Sequence, residues 1–262
     1  MRDALCAVRS NQQLGALLLC GVLAPLMLAF AVVVTAALTP GYSHVLHTAS
    51  QLGTPDKPHP EIINGAFVLY GLMINAFAYG LYQALGRSRG ARVIWSLVGI
   101  SGAGILMAAF FHTDSKALSE PTSVEGLVHA GFAQLAYFSL VIAMCVFAWM
   151  VRHDSSWRGF AQFSVAMVVF SLVLSAIYRL DFVAPIEGAV QRALYGSLLL
   201  WAVAVAVRSL RLAANAAAEG RGGEDGPDEA RGDSVAAFVL GHSGVRTEVD
   251  ASQRSQDQRG KE

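Results

Sequence analysis

Six long apolar stretches, separated by short polar ones, dominate the chain: residues 14–38, 62–85, 93–111, 127–151, 160–177 and 189–207. Each is near or above the ~18 residues that a helix needs to cross a hydrocarbon core. In lipid every backbone amide must find its partner within the protein, which leaves helices or the strands of a closed barrel. Barrel strands run to about 10 residues and alternate strictly; these stretches do neither. The pattern predicts an all-α polytopic membrane protein, a six-transmembrane-helix bundle. The first stretch follows Arg9 as a secretory signal would, but its apolar part has 25 residues against ~7–15 in a signal, so an uncleaved anchor is expected.

Polar punctuation gives the expected orientation. One set of ends carries Arg2, Arg9, Arg87, Arg89, Arg92, Arg152, Arg158, Arg208 and Arg211, while the other carries Lys57, Lys116, Arg179 and Arg192. Basic residues accumulate on the cytoplasmic side, so both termini are expected in the cytoplasm of a cell with this protein in its plasma membrane. Trp95, Trp149 and Trp157 lie beside the arginine-bearing ends, as an interfacial aromatic belt would.

Composition agrees. The chain is 262 residues long, 54% apolar and 15% charged, with a mean hydropathy of +0.47; soluble domains carry about 25% charged residues. Net charge is +0, which removes nucleic acid from the expected partners and leaves the lipid bilayer. Residues 1–212 form the six-span domain. Residues 213–262 hold 6 basic and 10 acidic residues and read as a disordered acidic cytoplasmic tail. Its apolar patch at 235–240 is too short to span. Cys6, Cys20 and Cys145 form no CxxC pair. Sixteen arginines against three lysines, in a chain rich in Ala, Gly and Val, suit a GC-rich bacterial genome.

The candidate chemistry lies at the other end. Asp56, Glu61, Asp114, Glu120, Glu125, Asp181 and Glu187 all fall on the expected outer side, with His44, His47, His59, His112 and His129. The positive-inside rule does not explain acids and histidines pooling there. If the first span continues as a helix, His44, His47 and Gln51 share a face. Nineteen residues separate Arg92 from His112, about 28 Å of helix, which puts His112 at the outer boundary with Asp114 just beyond it. Glu125 and His129 are spaced i, i+4, so the carboxylate is expected to pair with the imidazole. Only 15 residues lie between Arg192 and Arg208, which puts Arg192 several ångströms inside the core edge; it either snorkels outward or pairs with Asp114 or Asp181. Asn64, 22 residues before Arg87, Arg179 and Gln191 join the same level. Gly99, Gly102, Gly104 and Gly126 are expected to let helices pack closely, and Asn75, Gln134 and Gln162 to bond between helices.

These motifs, His44-Val45-Leu46-His47-Thr48-Ala49-Ser50-Gln51-Leu52-Gly53, Asn64-Gly65, Phe111-His112-Thr113-Asp114, Gly126-Leu127-Val128-His129 and Gly188-Ala189-Val190-Gln191-Arg192, occur in an order that resembles the prokaryotic membrane family known as domain of unknown function 998. The resemblance runs from about 14 to 207 and implies six helices and an unassigned activity.

Three readings follow. The first is a His/Asp/Arg pocket on the outer face for a lipid headgroup or small anionic ligand, with Asn64, Arg179, Asp181, Gln191 and Arg192 as binding residues. The second is a metal-dependent intramembrane hydrolase. His44, His47, His112, Asp114 and His129 supply candidate ligands for a divalent metal such as zinc, which needs three and an open position. His44, Asp114 and His129 are then the candidate catalytic groups. The third is a structural or accessory subunit, or a transporter.

Overall fold

The computed structural model describes residues 2–114 and 123–222, with side chains for all of these except 2–11, 181 and 220–222. The expectations for Lys116, for Glu120 and for the tail at 223–262, including its apolar patch, lie outside the described residues. The chain divides into two units, Met1–Asn215 and Ala216–Glu262.

Six α-helices are described: α1 (Arg2–Ala37), α2 (Pro60–Ala84), α3 (Arg89–Ala108), α4 (Val124–Val151) and α5 (Phe160–Ile177) in the first unit, and α6 (Glu187–Gly222), which begins there and whose last residues belong to the second. All six are long and apolar enough to cross a membrane. Helix α6 runs ten residues past Leu212, where the sequence reading had the tail begin. Ala213 to Ala218 has high helix propensity and extends the last span as an ordinary helix.

Local chemistry sets the helix starts. Ser88 caps α3 by accepting from the Ala91 amide, Ser123 caps α4 by accepting from the Gly126 amide, and Pro60 opens α2 where a missing N–H costs nothing. Consecutive helices pack in order, α1 on α2, α2 on α3, α3 on α4 and α4 on α5. Between α2 and α3 the backbones nearly touch; a Cβ on Gly71 would lie 2.5 Å from the Gly102 carbonyl, the close packing expected of these glycines. Asn75, by contrast, donates to Gly71 of its own helix at 2.9 Å rather than across to another.

The core gathers Phe77, Leu81, Ile94, Met144, Phe147 and Trp201, all fully buried. Trp201 donates its indole N–H to Ser164 at 2.9 Å. Phe147 meets Trp157 and Trp201 edge-on. Trp157 is therefore a core residue, not part of an interfacial belt: the turn at Ser155–Trp157 folds it back onto α4. Trp149 stays exposed, as do Leu26 and Phe30 of α1, which suits a surface facing lipid tails.

Both ends of the bundle are built from connections. At one end lie the turns at 85–88 and 152–159. At the other lie the long segment 38–59, the chain between α3 and α4, and the segment 178–186. Every candidate site residue belongs to this second, polar end.

Candidate functional site

The first helix does not continue through His44 and His47. It stops at Ala37, and residues 38–59 fold into turns and a short 3₁₀ helix at Ser50–Gly53. The shared face expected of His44, His47 and Gln51 is absent because each is engaged separately. His47 Nδ1 accepts the Ser43 amide at 2.9 Å, and buried Gln51 accepts the Thr48 amide at 3.0 Å. Asn64 reaches back from α2 to donate to the Gly53 carbonyl at 3.0 Å.

What holds this loop is the start of α6. The Ala189 amide donates to the Val45 carbonyl at 3.1 Å, and Gln191 accepts the Ala49 amide at 2.8 Å. Arg192 Nη1 donates to the carbonyls of His44 (2.8 Å), His47 (2.8 Å) and Gly188 (2.9 Å), and Nη2 to the Tyr42 hydroxyl at 2.5 Å. Tyr42 in turn donates to the Thr48 carbonyl at 2.8 Å. These partners of Arg192 are thus backbone carbonyls and a phenol; the Asp181 side chain, one of its expected partners, lies outside the described residues. A guanidinium carries five donors in a fixed fork, and a loop crossing over it offers oxygens that no water-poor setting could otherwise satisfy. Position 188 must be glycine for the loop to come this close, since a Cβ there would lie 2.2 Å from the His47 carbonyl oxygen.

A second cluster ties α3 to α4. Glu125 accepts both the amide and Nδ1 of His112, at 2.7 and 2.6 Å, so the expected Glu125–His129 pair does not form. The chain leaving α3 crosses the first turn of α4 and offers the carboxylate two donors from one residue. His129 Nδ1 instead faces the carbonyls of Ala108 (2.9 Å) and Phe111 (2.8 Å); both can only accept, so this nitrogen carries the proton. Asp114 accepts the Ser123 amide at 3.2 Å. Gly126 leaves room for that carboxylate, as its Cβ would sit 2.4 Å from Asp114 Oδ2.

A third group surrounds the entry to α6. Tyr178 donates to Glu187 Oε1 at 2.7 Å. Glu187 is buried, and among the described residues its Oε2 has no hydrogen-bond partner. Burial, then the acceptor carboxylate, hold the Tyr178 phenol above its ordinary value. Burial, then the charge of Arg192, hold the His44 imidazole below its own. Arg179 is exposed, and the Asp181 side chain lies outside the described residues.

Between these groups lies a cavity of about 900 Å³. Its polar mouth includes His44, Ser50, His129, Arg179, Gln191 and Arg192. Farther in come Gln134, Tyr70, Tyr137 and Tyr195, and beyond them the leucines of α1, α4 and α6. Five of the sequence candidates (His44, His129, Arg179, Gln191 and Arg192) therefore meet at one cavity. His47, His112, Asp114 and Asn64 lie outside its lining. Sequence reasoning missed the three tyrosines. Their signal was a phenol placed well inside an apolar span, where its hydroxyl must find a partner or a cavity.

The metal reading fares differently. Among the described residues no three of His, Cys, Asp and Glu come together in a group that could hold a metal ion. The five proposed zinc ligands are split between the Arg192-held loop and the α3–α4 crossing, so the donor set does not fit zinc.

Six apolar helices with this polar end define a multi-pass integral membrane protein. Within that class, a family model described as "Protein of unknown function (DUF998)" matches residues 22–208, more than half of the chain. The chain belongs to this family. No curated protein and no solved structure matches it.

Proposed function

We propose that this is a plasma-membrane protein whose polar end faces the outside of the cell, with both termini in the cytoplasm, and that its cavity binds a lipid headgroup or a small polar ligand. The observation that carries the reading is the mouth of the 900 Å³ cavity, where two arginines, two histidines and a glutamine converge. Ligand sites are concave, of roughly 300–1,000 Å³, and mostly apolar with a few convergent polar groups. The bias of nine basic residues against four supports the orientation.

Purification in a mild detergent, followed by extraction and mass spectrometry of bound small molecules, tests the binding. A defined species present in proportion to the protein, and reduced in Arg179→Gln, supports it. A preparation with nothing enriched above detergent and bulk lipid overturns it and leaves the structural-subunit reading. For orientation, Lys57→Cys in a chain whose three native cysteines are alanine should react with an impermeant maleimide on intact cells. Labelling only after lysis reverses the topology.

A further inference from the structure

The charge and depth profile of the cavity narrows its ligand. Two guanidinium groups reach its mouth, and no aspartate or glutamate is among the described residues that line it. Glu187, at the start of α6, is turned to Tyr178 instead. Arg192 gives its hydrogen bonds to neutral oxygens, so its positive charge is not cancelled locally. Arg179 is exposed, and among the described residues no carboxylate pairs with it. Among the described residues the mouth is cationic.

The inner part is not. Leu28, Leu140 and Leu198 floor it, and at its rim Val33 and Leu127 are 58% and 61% exposed. An apolar, accessible rim on membrane-spanning helices gives a hydrocarbon chain a path between the cavity and the lipid beside it. Gly131 and Gly196 line the same space, and a Cβ at either would meet nothing.

One polar group in the wall is left over. The Tyr137 hydroxyl is buried, on a residue 4% exposed, and among the described residues it has no partner. A buried hydroxyl without a hydrogen bond costs about 1–3 kcal/mol.

Resting on the binding reading above, we propose that the ligand is an anionic amphiphile. Its negative head sits at Arg179 beside the charge of Arg192, and its tail runs past the leucines.

The test uses the full chain in phosphatidylcholine nanodiscs and a dodecyl phosphate bearing a photoreactive diazirine on its chain. Labelled peptides are mapped, and labelling is competed with dodecyl phosphate, inorganic phosphate or dodecanol. Labels on the lining stretches of α1, α4 and α6, competed by dodecyl phosphate alone, are expected. Arg179→Gln should weaken competition about tenfold, the size of one charge-assisted hydrogen bond. Tyr137→Phe, which removes a buried hydroxyl with no partner among the described residues, should raise the unfolding temperature and leave competition unchanged. Equal competition by inorganic phosphate would remove the tail from the proposal and keep a small-anion site. Equal competition by dodecanol would remove the head. Absence of cavity labels overturns this proposal while leaving the binding reading intact if the extraction experiment finds another bound molecule; if that too is empty, both fall.

Discussion

Two arginines at the same end of the bundle have opposite circumstances. Arg192 is half-buried and holds two carbonyls and a phenol from a loop far away in sequence, with a third carbonyl from its own helix. Arg179 is exposed at the rim of a cavity and pairs with no carboxylate among the described residues. The more conspicuous of the two in sequence is thus the one already committed to holding the protein together. The plainer one is available for something else. A charged residue inside a span marks either a ligand or a joint, and the hydrogen-bond partners decide which.

That contrast can be broken first at Arg192. Arg192→Met strands the carbonyls of His44 and His47, and should cost about 3 kcal/mol, read as a lowered unfolding temperature in detergent. Arg192→Lys should recover only part of this, since a point charge cannot reproduce the fork. A near-neutral Arg192→Met would make this residue as free as Arg179 and dissolve the distinction. Next comes Gly188→Ala, which pushes a methyl against the His47 carbonyl and should lose about 2 kcal/mol by the same measurement. The cavity side should respond the other way. Gly196→Ala places a methyl in open space within α6 and should gain about 0.5–1 kcal/mol, as alanine does over glycine in a helix. Arg179→Gln, a surface change, should move stability by less than about 0.5 kcal/mol; a larger loss would mean that Arg179 too is a joint. The smallest effect is expected from His44. Its folded imidazole binds its proton less readily than the unfolded one, for reasons of burial and the neighbouring Arg192 charge. Stability should therefore hold steady above about pH 6.5 and decline slightly as pH falls below it, and His44→Gln should flatten that slope.

The same contrast explains what could be read in advance. The six spans are legible because length and apolarity alone decide them in lipid, and helices α2 to α5 start and stop within a few residues of the apolar stretches. The level at which His44, His129, Arg179, Gln191 and Arg192 meet is also legible, because rise per residue converts counting into depth. Pairing is not. Glu125 and His129 have ideal helical spacing, yet Glu125 takes His112, which arrives from a chain crossing that no local pattern encodes. Charge points Arg192 toward acids, yet the partners it does hold include carbonyls of a loop that no local pattern brings to it. Tyr137 went unnoticed because a tyrosine in an apolar span reads as core until its hydroxyl is found without a partner.

The grip of Arg192 and Gln191 also bears on how the protein is made. Their partners lie 142 to 150 residues earlier in the chain, so the first extramembrane loop can rest on α1 and α2 but lacks these bonds until the last helix leaves the ribosome. At ~5–20 residues per second that interval is on the order of ten seconds. Insertion of the sixth helix is then the step that locks the first loop, and shortened chains lacking it should leave that loop open to added protease.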